Sequence, residues 1–111
     1  MALGVLFDMT NNANTTEVTM AEDLVRKEWF ERLISPTVPV DMFIVVGHNP
    51  PGRPNDGSTF PTIFEAIRAA NPDTPITFLG GHVHTRDTVI YDNKAVCLIS
   101  GQWRPGSNAA R

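Results

Sequence analysis

The sequence holds a single cysteine, Cys97, in 111 residues. A lone thiol has no internal partner, so a disulfide-stapled secreted mini-protein is excluded. No apolar run approaches the ~18 residues a membrane-crossing helix needs. The apolar start, residues 1–7, lacks a basic region and runs straight into Asp8, so it reads as a strand and not as a signal peptide. Positive charge is also scarce: 9 Lys+Arg stand against 12 Asp+Glu, the net charge is −3, and the basic residues are scattered. Nucleic acid is therefore not the expected partner. Internal repeats and low-complexity tracts are absent. So is any histidine before His48, and only three occur in the whole chain.

What is present suits one modest globular core. Hydrophobic residues make up 41% and charged residues 19%, which excludes a disordered tail or a coiled coil. Residues 3–7 read as a buried strand, followed by a polar loop rich in Asn11, Asn12 and Asn14. Asn14-Thr15-Thr16 fits the glycosylation acceptor pattern, which matters only in a secreted protein. Thr19 and Glu22 resemble a capping box opening one helix to about Ile34. Along it Ala21, Val25, Trp29 and Leu33 recur at i+4, with Phe30 and Ile34 off that stripe. Asp41 to Val46 is a continuous apolar run expected to be a central strand buried on both faces. Gly47 to Ser58 is a loop with three prolines and the turn residues Asn55 and Asp56. A second helix is expected where Phe60, Ile63, Phe64, Ile67 and Ala70 line one face, with Pro61 in its first turn. Ile76–Leu79 is a short strand. Thr88–Tyr91 and Ala95–Ile99 form a hairpin through Asp92-Asn93-Lys94, whose Asn tolerates positive φ. Alternating strands and helices predict a layered α/β fold, with ligands collecting at strand carboxyl ends.

All three histidines follow such strand ends. His48 comes after Val45-Val46-Gly47; His82 and His84 come after Leu79-Gly80-Gly81. Glycine allows a sharp turn and close backbone approach there. In extended backbone the i, i+2 pair points to one side, and neutral imidazole is a common metal ligand. Three further residues are candidates beside them. Arg86 would contact substrate and Asp87 would hold a histidine Nδ1–H, or the two would only make surface ion pairs; Asn49 would face the site as a substrate contact or serve as an ordinary turn residue before Pro50. Arg53 is a weaker substrate candidate, and Cys97 reads as an inert buried thiol.

Val45-Val46-Gly47-His48-Asn49-Pro50 and Gly81-His82-Val83-His84 resemble the last two motifs of the calcineurin-like metallophosphoesterases. Thr85-Arg86-Asp87, the stretch 71–76 and Leu6-Phe7-Asp8 resemble a fungal, 5′-nucleotidase-like branch of that family. The resemblance covers roughly residues 3–101, so 1–101 read as part of one such domain and 102–111 as an irregular tail. It implies part of a layered α/β/β/α sandwich with a mixed sheet, two main helices and a C-terminal hairpin. It also implies two divalent cations, Mn, Fe or Zn, with His48 and His82 on one and His84 on the other, acting on a phosphate-ester small molecule such as a nucleotide. The family's Asp-x-His, Gly-Asp-x-x-Asp and Gly-Asn-His motifs, which bring the bridging carboxylate and other ligands, do not occur in this sequence. The expectation is thus the C-terminal half of such a domain, inactive alone, whose partner is the missing N-terminal half. Two alternatives stay open: one zinc held by His48, His82 and His84, or a non-catalytic interaction module using an exposed half-sheet. Nothing in the sequence selects a substrate or a compartment.

Overall fold

A computed structural model describes residues 1–102; the tail expected at 102–111 otherwise lies outside the described residues. Five strands form one sheet in the order β1-β2-β3-β5-β4. They are β1 (Ala2–Leu6), β2 (Phe43–His48), β3 (Ile76–Gly80), β4 (Asp87–Asp92) and β5 (Ala95–Ile99). β1, β2, β3 and β5 run parallel, and β4 closes the far edge antiparallel to β5. The helices are α1 (Ala21–Leu24), α2 (Glu28–Ile34) and α3 (Phe60–Ala70). The expected mixed α/β class is therefore what the chain adopts, with one sheet present among the described residues.

The core lies between one face of the sheet and the helices. Val45, Phe78, Cys97 and Ile99 from the strands meet Phe30, Ile34, Phe60, Ile63 and Ile67 from the helices. The opposite face is open. β2, expected to be buried on both faces, instead alternates: Phe43 and Val45 are buried, while Val46 is exposed. A continuous apolar run thus marks a strand whose second apolar face has no cover among the described residues.

The expected single first helix is two short ones. The chain leaves helical geometry between Leu24 and Glu28, and this turns the apolar face. Phe30 and Ile34 become the buried positions, and Trp29, which the i+4 stripe placed inside, is 50% exposed. The capping box does not form either. Met20 is the N-cap residue and makes no side-chain cap; the Ala21 N–H donates to Asp8 Oδ1 at 2.9 Å. A carboxylate 13 residues upstream, just past β1, does the capping.

α3 follows its sequence signature, with Phe60, Ile63 and Ile67 buried and Pro61 in the first turn. Its C-terminal end is pinned by Arg68. That guanidinium donates to Asp92 at 2.7 and 3.2 Å and to the carbonyls of Asn71, Pro72 and Thr74. The Asn71 side chain donates to the Ile34 carbonyl at 2.7 Å, tying the ends of α2 and α3 together. The β4–β5 turn needs no positive φ at Asn93; the Lys94 N–H donates to Asp92 Oδ1 at 2.8 Å instead.

Gly47 and Gly80 lie within strands, not in sharp turns. A Cβ on Gly47 would stand 2.2 Å from the Val5 carbonyl oxygen and 3.2 Å from the Phe60 ring. On Gly80 it would stand 2.4 Å from Ile99, 2.8 Å from the Asn49 carbonyl oxygen and 2.9 Å from Phe60. Gly81 meets nothing within 4 Å. Gly80→Ala is therefore expected to cost about 1–3 kcal/mol in chemical denaturation, and Gly81→Ala far less. Equal costs would sink this account of the strand ends.

Candidate functional site

The carboxyl ends of β1, β2 and β3 lie side by side, with Leu6 in register with His48. Three hydrogen bonds fasten these ends. The Phe7 N–H donates to the His48 carbonyl, the Gly81 N–H to the Asn49 carbonyl at 2.9 Å, and the Thr59 hydroxyl to the Leu6 carbonyl at 3.0 Å.

Asn49, read as either a substrate contact or a turn residue, is fully buried. Its Nδ2 donates to Thr59 Oγ1 and its Oδ1 accepts the Thr59 N–H, both at 3.0 Å. Its amide is thus spent on joining the β2 end to the start of α3, and no atom of it faces a ligand. Burial with a satisfied partner is the usual state of an interior amide.

His48 and His82 come together. His82 Nδ1 lies 3.0 Å from His48 Nε2, the rings are nearly perpendicular at 89°, and both are exposed. A hydrogen bond at this distance needs one ring to hold a proton and the other to accept it. The Phe7 ring packs beside both, 4.6 Å from His82 and 6.0 Å from His48 between centroids. The spacing suits metal binding. Two imidazole nitrogens each about 2.0–2.1 Å from one cation are about 3 Å apart, so a cation can replace the shared proton.

His82 reaches this position through an unusual turn. Its φ is +67°, and the Val83 N–H donates to the Gly81 carbonyl at 2.7 Å across it. That is a γ-turn centred on a non-glycine residue, a rare and strained arrangement. It also corrects the i, i+2 expectation. The backbone at 82–84 is not extended. His84 is exposed, and among the described residues no ring pair or side-chain hydrogen bond joins it to the His48–His82 pair. Among the described residues no group of three or more His, Cys, Asp or Glu is placed to hold a metal. The residues present thus fit two ligands of one cation and do not by themselves fit a two-cation centre.

Of the two readings for Asp87, the ion pair is the one that forms. Asp87 accepts two hydrogen bonds from Arg53, at 2.7 and 2.6 Å. This fork joins the 47–59 loop to β4, and it holds the Asp87 carboxyl below its ordinary value of 3.8, with burial opposing. Asp92 is lowered too, first by the Lys94 N–H and then by Arg68. The Asp56 carboxylate organises the same loop by accepting the N–H groups of Gly52, Arg53 and Ser58 at 2.7–3.0 Å. Arg86 is exposed and forms no ion pair among the described residues. Cys97 is buried, and burial pushes its thiol up to about 11. Sequence reasoning missed Phe7 as a neighbour of the histidines and Thr59 as the partner of Asn49. The only signal for either was position beside a strand end.

This arrangement is a metallophosphoesterase-like α/β fold. The structure superposes on the crystal structure of a 5′-nucleotidase from Candida albicans with a TM-score of 0.80 and 33% identity, over 91% of this chain and 18% of that one. In sequence it is 42% identical over 103 residues to a protein of Arthroderma benhamiae described as secreted. It is 39% identical to an uncharacterized protein of Schizosaccharomyces pombe and 35% identical to one of Saccharomyces cerevisiae. Each match covers 93% of this chain but only 16–17% of the relative, so the chain spans about a sixth of these relatives' length. No family model matches the chain.

Two outcomes are expected. His82→Ala keeps the strained φ and His82→Gly relieves it, so the alanine variant is less stable by about 1 kcal/mol in urea titration; the reverse order would refute the γ-turn. The Asp87 and Asp92 carboxyls are lowered in the folded chain, so their contribution is full above the ordinary carboxylate range. It is lost as pH falls through the lowered values. Arg53→Met should therefore cost stability at neutral pH, with the gap to wild type closing on acidification below 3.8. A gap independent of pH would exclude this reading.

Proposed function

We propose that this chain is part of a metal-dependent phosphoric ester hydrolase of the metallophosphoesterase type. The observation that carries the reading is the His48–His82 pair, 3.0 Å apart at the ends of adjacent parallel strands. The 5′-nucleotidase likeness over 91% of the chain supports the hydrolase class and a nucleotide 5′-phosphate as substrate. In this reading His48 and His82 are two ligands of one Mn, Fe or Zn ion, since imidazole suits these better than Ca or Mg. His84 would be a ligand of the second cation. The bridging carboxylate and remaining ligands come from segments outside this sequence. Two cations so bridged would polarise the phosphoryl group and lower the pKa of a bound water. Arg86 remains free to meet a phosphate. The one-zinc reading with three histidines has less support, because among the described residues no group of three or more His, Cys, Asp or Glu is placed to hold a metal.

The purified 111-residue chain is expected to turn over a chromogenic phosphate ester no faster than buffer with Mn or Zn, and to bind Zn weakly by calorimetry. Robust turnover lost in both His48→Ala and His82→Ala would show the site complete as it stands. Tight one-to-one zinc binding lost in His84→Ala would establish the three-histidine site instead.

A further inference from the structure

The segment between β1 and α1 carries a motif that the histidine site leaves unused. Asn14-Thr15-Thr16 is an Asn-x-Thr triplet, and no other asparagine of the sequence has Ser or Thr two positions on. The Thr16 N–H donates to the Ala13 carbonyl at 2.9 Å, which closes a turn with Asn14 and Thr15 as its central residues. The work of holding that turn falls to Asn12. Its Nδ2 donates to the Thr16 carbonyl at 2.6 Å and to the Ala13 carbonyl at 3.4 Å. At its base the segment is closed by the Asp8 carboxylate on the Ala21 N–H. Asn14, about midway along the chain between those two, is exposed, as are Thr15 and Thr16. Among the described residues neither the Asn14 amide nor the Thr16 hydroxyl is engaged in a hydrogen bond.

We propose that Asn14 is the acceptor of an N-linked oligosaccharide. Three observations carry this. First, an amide followed two residues later by a hydroxyl, with a residue other than proline between them, is the acceptor pattern. Second, the structure separates the two jobs an asparagine-rich loop can do. Asn12 makes the turn, and Asn14 makes no bond that a sugar on its Nδ2 would break. Third, the turn is an exposed loop tip of small polar residues, the kind of place where added bulk displaces nothing packed. In the transfer, Asn14 Nδ2 attacks the anomeric carbon of an oligosaccharide carried on a lipid pyrophosphate. The N–C bond forms as the C–O bond to the pyrophosphate breaks. The lipid pyrophosphate leaves with the bonding electron pair, and one Nδ2 proton passes to a base of the transferase. The transferase meets the chain as it emerges into the secretory compartment, so segments that pack on the sheet later do not decide the outcome. Such a site is used in secreted proteins, which is how the Arthroderma benhamiae relative is described. The competing reading, a loop that is polar only because it is a solvated turn, requires an unmodified Asn14.

Peptide mapping of the polypeptide isolated from the cells that make it tests this directly. Arg26 is the first Lys or Arg of the sequence, so trypsin leaves Asn14 on the peptide ending there. That peptide is expected to appear only after peptide-N-glycosidase treatment, with Asn14 converted to Asp. Its full recovery without the glycosidase, with Asn14 intact, overturns the proposal. Translation of the chain behind a cleavable secretory leader, in the presence of microsomes, checks the acceptor itself. The gel shift reads the transfer whether or not a variant folds. Wild type, Asn11→Gln and Thr16→Ser are expected to gain a glycosidase-sensitive oligosaccharide, and Asn14→Gln and Thr16→Ala to gain none. An unshifted wild type, or a shift that survives Asn14→Gln or Thr16→Ala, overturns the proposal as well.

Discussion

The aromatic ring of Phe60, at the first turn of α3, rests on the bare backbones of Gly47 and Gly80. No side chain larger than hydrogen fits at either glycine, so α3 begins as close to the strand ends as a helix can. That approach fixes the rest of the site end. It lets Thr59 reach both Asn49 and the Leu6 carbonyl, which gathers β1, β2 and the helix start into one hydrogen-bonded corner. His48 and the turn holding His82 are carried together by the same corner.

The chemistry of that end is divided between rigid and strained parts. His48 extends an ordinary strand, and its direction is set by the pleat. His82 is aimed by a backbone conformation that its residue type resists. Strained non-glycine backbone persists where its surroundings over-determine it. Here the Gly81–Asn49 hydrogen bond on one side and the Phe7 ring on the other do so. The fork between Arg53 and Asp87 and the carboxylate of Asp56 hold the neighbouring loop in place without entering the site.

Much of the fold was legible in the sequence because it rests on local patterns. The spacing of Phe60, Ile63 and Ile67 with Pro61 located α3, and apolar runs located all five strands within about two residues, the usual boundary scatter. The convergence of His48 and His82 was legible because a Gly-His element ended each of two neighbouring strands. Long-range facts were not. The capping of Ala21 by Asp8 spans 13 residues and overrode a local capping box. The break before Glu28 turned Trp29 outward, although its i+4 spacing was intact. The backbone at 82–84 was not legible either, because the expectation assumed extended geometry where a γ-turn occurs. The role of Asn49 stayed open because a buried amide and an exposed one have the same neighbours in sequence.

The parallel pairing of β1 with β2 has a consequence for assembly of the chain. Its hydrogen bonds begin between Met1 and Met42, 41 residues apart. β2 and β3 are likewise separated by the whole of α3, and β5 reaches β3 only after β4 has passed outside it. The β4–β5 hairpin is the one ladder in this sheet closed by a tight turn. Every other ladder pays loop-closure entropy before any of its bonds repay it. The sheet therefore has a built-in order of affordability, local at its C-terminal edge and costly at the N-terminal strand.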